Sequence, residues 1–125
     1  MDKVQSGVLD FHKKYGSYYN KQLSMPSTEC RLLRSRLIVE EAGEFLAAAS
    51  LGNMVEMCDA LADLIYVTYG TAVAMGVDLE PILEEVQRSN MTKDGGGKDS
   101  GGKVIKGPDF EKPNIKKCLV DQGWV

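Results

Sequence analysis

Apolar residues recur along this chain at intervals of three and four, the spacing of one helix face. Val4, Val8, Phe11 and Tyr15 mark a first short amphipathic helix. "GSYYNKQLSMPS" breaks it, and Ser27 or Thr28 is placed to cap a second helix that reads to Ser50. "SLGN" hinges that helix to a third, from Asn53 to Met75, which "MGVD" ends. Asp78 can cap a fourth helix, with Pro81 in its first turn and Ile82, Leu83 and Val86 as its apolar face, running to Asn90. "NIKKCLV" reads as a last helical turn. No segment is rich in strand signals and none repeats. The expected class is all-α, near a four-helix bundle.

Helices two and three are apolar on nearly every side, the mark of buried helices. Within them, "LIVEEAGEFLAAASLGNMVEMCDALADLIYV" carries six acids and no base. At about 100° per residue, with Leu33 at zero, Glu40 and Glu44 fall within about 20° of the stripe of Leu33, Leu37 and Leu51. Glu41 falls at the edge of that stripe. On the third helix Glu56, Asp59 and Asp63 share an arc with Ala60, Val67, Gly70 and Ala74. Carboxylates crowded in low dielectric must take up protons or find cations. No basic residue lies between Arg36 and Arg88, so the counterions are expected from outside the chain, as Mg²⁺ or Mn²⁺. The competing view is a solvated acidic face.

Composition narrows the partners. The chain has 125 residues, 43% hydrophobic, with a net charge of −3, which argues against a general nucleic-acid binder. Residues 37–87 hold ten acids and no base, and residues 88–117 hold eight Lys or Arg. That division suits a metal together with a polyanion. Three cysteines without CxxC spacing fit reduced thiols, and Cys58 is expected within a buried helix. The first residues lack the pattern of a signal peptide, and acids interrupt the longest apolar runs, so a cytoplasmic protein without membrane attachment is expected. The exposed apolar area of helices two and three calls for a homo-oligomer.

"GKDSGGKV" approaches a P-loop, but it ends in Val where Ser or Thr is needed, and neither strand nor clear helix flanks it. The stretch reads as a linker or as a mobile lid whose lysines meet phosphates. His12, the only histidine, cannot build a di-iron bundle and reads as a surface or packed residue. Tyr66 and Tyr69 read as core.

Together "EEAGE" (Glu40, Glu41, Glu44), "EMCD" (Glu56, Asp59), "DALADLIYVTYGTAVAMGVD", "EVQRSNMTK" and "GKVIKGPDFEKP" resemble the MazG-like all-α nucleoside triphosphate pyrophosphohydrolases. That superfamily includes dimeric dUTPases and phosphoribosyl-ATP pyrophosphohydrolase. The resemblance covers Arg31 to Pro113 and is closest to the single-domain, dUTPase-like branch. It departs from the broader pattern at Ala60, where Glu is usual three residues before Asp63, and in its short linker between helices.

The resemblance implies one domain over residues 1–125, with a helical core over 4–90 and a flexible, substrate-covering tail over 91–125. It implies Mg²⁺-dependent hydrolysis of a nucleoside triphosphate, such as the pyrimidine substrates dUTP or dCTP, to monophosphate and pyrophosphate. Glu40, Glu44, Glu56 and Asp59 would hold metal, with Asp63 as a further ligand or orienting group. Glu41 or Glu40 would activate water. Asn90, Lys93, Lys103 and Lys106 would hold phosphate oxygens. A homodimer or dimer of dimers is expected. The alternatives are phosphoribosyl-ATP hydrolysis, which "SNMTK" and the Gly/Lys tail disfavour, and a non-catalytic metal-binding helical oligomer.

Overall fold

The computed structural model describes every residue from Met1 to Val125 and contains five helices and no strand, as the all-α expectation required. They are α1 (Lys3–Tyr15), α2 (Thr28–Leu51), α3 (Met54–Met75), α4 (Leu79–Asn90) and α5 (Ile115–Asp121). Side-chain caps fix most of the starts. Asp2 accepts from the Gln5 amide at 2.8 Å, Ser27 from Cys30 at 3.1 Å, Asn53 from Glu56 at 3.1 Å and Asn114 from Lys117 at 3.0 Å. Each satisfies an amide that the first helical turn leaves without a partner. Gly52 closes α2 in the left-handed region at φ 66°, and Asn53 opens α3 directly after it. No single helix is long and apolar enough to cross a membrane.

The chain forms two compact units, Met1–Leu79 and Glu80–Val125. In the first, α2 and α3 pack as an antiparallel hairpin and α1 lies on α3. The pairing is visible in Arg34, whose Nη2 donates to the Val67 carbonyl at 2.9 Å and whose Nε donates to Thr71 Oγ1 at 3.2 Å. The core is built from small residues: Val8, Ala48, Ala60, Ala72, Val73, Ala74 and Val77 are buried. Small side chains let helix axes approach closely, and they bury little area each. Two buried polar residues serve the backbone. Gln5 donates to the Val77 carbonyl at 2.6 Å and accepts from the Leu79 amide at 3.1 Å. His12 Nδ1 lies 2.8 Å from the Tyr18 carbonyl, which can only accept, so Nδ1 carries the proton.

The faces of α1 and α2 differ from the sequence expectation by about one residue, whereas α3 buries Ala60, Gly70 and Ala74 as expected. Along α2 Ala48 is buried and Cys30, Arg34, Leu37, Ile38, Glu41, Phe45 and Ala49 are half-buried, while Leu33 is exposed. Along α1 they are Gln5, Val8 and His12, leaving Val4, Phe11 and Tyr15 exposed. A helix that is apolar nearly all round gives no unique phase, and the polar contacts of Arg34, Gln5 and His12 select it. The rotation leaves Leu32, Val39 and Leu46 at 65%, 70% and 68% exposure in the single chain. Cys58 and Tyr66, expected inside, are exposed on α3. His12, by contrast, is packed.

The second unit joins α4, a Gly- and Lys-rich hairpin and α5. The hairpin folds about Asp99, whose Oδ1 accepts from the Gly101 and Lys103 amides at 2.9 and 3.0 Å. A single bridge pairs Lys98 with Val104. Ser89 Oγ donates to the Glu111 carbonyl at 2.7 Å, and Thr92 Oγ1 accepts from the Glu111 amide at 2.9 Å, tying residue 111 to the end of α4.

Candidate functional site

The hairpin geometry brings Glu41 and Glu44, one turn apart on α2, opposite Asp63 on α3. One carboxylate oxygen from each lies within 4.8 Å of the others. Glu41 is the most confined of the three: its Oε2 is shielded from solvent and meets no donor. Desolvation, a hydrogen bond to Glu44 that forms only when one of the pair is protonated, and the charges of Glu44, Asp63 and Glu40 hold the Glu41 carboxyl above its ordinary range.

Toward the hinge, Glu44, Glu56 and Asp59 line a cleft of about 460 Å³ together with Ala47, Ala48, Leu51, Asn53 and Ala60. Glu44 therefore belongs to both groups. Glu40 is exposed and belongs to neither. The expectation that Glu40 and Glu44 occupy the core stripe is corrected: they and Glu56 and Asp59 are exposed, and Glu41, placed at the stripe's edge, is drawn inward. None of these six acids pairs with a Lys or Arg.

Such a set fits a hard divalent cation. The donors are all oxygen, and ligand oxygens around Mg²⁺ at about 2.1 Å stand about 3 to 4 Å apart, a spacing small side-chain adjustments would reach. An orphaned, desolvated carboxylate oxygen beside two further acids is relieved by positive charge supplied from outside. The same donors accommodate Mn²⁺.

The basic candidates lie in the second unit. Asn90 ends α4 and is exposed. Lys93 Nζ stands 5.9 Å and Lys106 Nζ 5.0 Å from the centre of the Phe110 ring. Lys103 is exposed on the returning arm of the hairpin. Sequence reasoning passed over Arg34 and Phe110. For Arg34 a signal existed in its position on the α2 wheel, within the row Ile38, Glu41 and Phe45. For Phe110 there was none beyond an aromatic residue in a polar loop.

Residues 10–90 match the family described as phosphoribosyl-ATP pyrophosphohydrolase, enzymes that hydrolyse a phosphoric anhydride bond. The chain is 42% identical over 77 residues to "Uncharacterized protein L479" of Acanthamoeba polyphaga mimivirus, covering 58% of this chain and 31% of that protein. The chain thus spans about a third of that relative's length. The family match begins within α1, ends where α4 ends, and has the acid-bearing α2–α3 hairpin at its centre; the chain belongs to the phosphoribosyl-ATP pyrophosphohydrolase family, within the MazG-like all-α nucleoside triphosphate pyrophosphohydrolase superfamily.

Proposed function

We propose that this chain hydrolyses a nucleoside triphosphate to the monophosphate and pyrophosphate, with Mg²⁺ or Mn²⁺ as cofactor. The observation that carries the reading is the cluster of Glu41, Glu44 and Asp63 without any basic partner, continued by Glu44, Glu56 and Asp59 in the adjoining cleft. Glu40, Glu44, Glu56 and Asp59 are the proposed metal ligands, with Asp63 joining Glu44 from across the hairpin. A divalent cation held there neutralises the charge of the phosphate chain.

Glu41 is the proposed acceptor of the proton from the attacking water. Its desolvation and crowding raise its affinity for a proton, which suits a general base. Glu40 is the alternative acceptor, and Glu41→Gln and Glu40→Gln compare the two. The water oxygen bonds to phosphorus as the bond to the pyrophosphate oxygen breaks, so no covalent enzyme intermediate is needed. Asn90, Lys93, Lys103 and Lys106 are assigned to the phosphate oxygens.

A pyrimidine deoxynucleotide such as dUTP or dCTP is the proposed substrate, on the likeness of "SNMTK" and the Gly/Lys tail to the dUTPase-like branch. The second reading is phosphoribosyl-ATP, favoured by the description of the matching family. The working form is proposed to be a homodimer or dimer of dimers in the cytoplasm, clearing unwanted nucleotides from the pool. The test is pyrophosphate release from a panel of deoxynucleoside and ribonucleoside triphosphates and phosphoribosyl-ATP with Mg²⁺. Turnover of dUTP or dCTP supports the first reading, and turnover of phosphoribosyl-ATP alone supports the second. No turnover of any would leave a metal-binding helical oligomer.

A further inference from the structure

We infer that Phe110 is a positioning residue: its ring gathers Lys93 and Lys106 into a two-lysine clamp for a condensed phosphate. The inference deepens the proposed function and rests on it for the identity of the natural ligand. Three observations carry it.

First, two other cations of this unit, Arg88 and Lys117, are held in ion pairs. Arg88 donates to Glu85 at 2.5 Å and to Glu111 at 3.2 Å, and Lys117 meets Asp121 at 2.8 Å. Lys93 and Lys106 have no carboxylate partner, and instead stand 5.9 and 5.0 Å from the centre of one ring. An aromatic face attracts a cation, but two ammonium groups drawn to one ring repel each other. The arrangement gains most from a ligand that carries at least two negative charges close together.

Second, the ring is held from several directions. The backbone of Glu111, next in sequence, is tied to Ser89 and Thr92 at the end of α4. The Phe110 amide donates to the Gly107 carbonyl at 3.3 Å. Gly107 packs so closely on the Asp94 carbonyl that a Cβ there would overlap it. Lys93 and Lys106 are therefore anchored to the ring's own frame although 12 residues separate them in sequence.

Third, the ring supplies an apolar wall beside the two charges. Excluding water from one side strengthens their attraction for an anion.

The test is calorimetric titration of the full-length protein with sodium pyrophosphate and with tripolyphosphate, in EDTA so that metal plays no part. Phe110→Leu keeps apolar bulk and removes the π face; Phe110→Tyr keeps the face. Phe110→Leu should weaken pyrophosphate binding on the order of five-fold, the scale of exposed cation–π contacts. Phe110→Tyr should bind as the parent does, and Lys93→Ala/Lys106→Ala should bind weakest. In turnover, Phe110→Leu should raise KM and leave kcat. Unchanged pyrophosphate affinity in Phe110→Leu would overturn the clamp, as would equal losses in the Leu and Tyr variants. A loss seen with nucleotides but not with pyrophosphate would instead make the ring a base contact, and also overturns it. Pyrophosphate binding with the expected order of variants, but no hydrolysis of any nucleotide, would uphold the clamp and reject the proposed function.

Discussion

Gly70→Ala tests the packing that sets the phase of α2 against α3. A Cβ at Gly70 would overlap Arg34 Nη2 and stand 3.1 Å from His12 Nε2. The guanidinium must move, and in moving it loses its bonds to Val67 and Thr71. A hydrogen bond from a charged donor contributes about 1.5–3 kcal/mol when well buried. Arg34 is only half-buried and water replaces part of what is lost, so about 1 kcal/mol for each is the fitting scale. Against this loss of about 2 kcal/mol, Ala improves on Gly in a helix interior by about 1 kcal/mol. The net expectation is destabilisation by about 1 kcal/mol. In an Arg34→Ala background only a small adjustment at His12 Nε2 remains, and Gly70→Ala should stabilise by up to about 1 kcal/mol, a coupling of about 2 kcal/mol. Urea denaturation of the four proteins at one protein concentration, without metal, reads the cycle. If Gly70→Ala were at least as stable as the parent in both backgrounds, helix propensity alone would explain it, and Arg34 would not fix the helix phase.

Three further outcomes are expected. Millimolar Mg²⁺ should raise the melting temperature, because a ligand of the native state stabilises it by mass action; Glu44→Gln, at the overlap of both acid groups, should fold yet lose most of that increment and lower turnover by orders of magnitude, and near-normal turnover would refute its place. Burial, helped by the charge of Arg34 and opposed by the bond to Tyr18, holds His12 below the ordinary histidine range, so its contribution to stability is present above a pH of about 6.5 and is lost as pH falls below it; an acid limb of the stability profile that survives His12→Gln unchanged would count against this. Sedimentation at micromolar concentration should show at least a dimer that covers Leu32, Val39 and Leu46, and a 13.7 kDa species would leave that face unexplained.

The helices were legible because their ends are written in local chemistry. Ser27, Asn53 and Gly52 do their work within one turn of chain, so sequence alone locates them. The face of α3 was legible, since Ala60, Gly70 and Ala74 are buried as their arc implies, but those of α1 and α2 were not, because the choice there depends on tertiary partners. α1 presents Gln5 and His12 inward to reach the carbonyls of Val77 and Tyr18, and its more apolar neighbours Val4 and Phe11 are left outside. The same shift on α2 turns Glu41 in and leaves Glu40 out. The acid cluster was therefore foreseen as a group, while the grouping of Glu41, Glu44 and Asp63 needed the register of two helices. The pairing of Lys93 with Lys106 through Phe110 depends on the path of the loop between α4 and α5, on which periodicity is silent.

The link between α2 and α3 is Gly52 and Asn53 alone, and it bears on how the chain folds. Closing so short a connection requires little loss of chain entropy, and contacts between neighbours in sequence form early. α1 must instead reach α3 past α2, through the longer segment of residues 16–27. The hairpin is thus the natural first structure, and the carboxylates that cross it are crowded while the rest of the unit is still open. Their repulsion falls on the folding barrier, so a divalent cation bound there would speed folding as well as stabilise the finished protein.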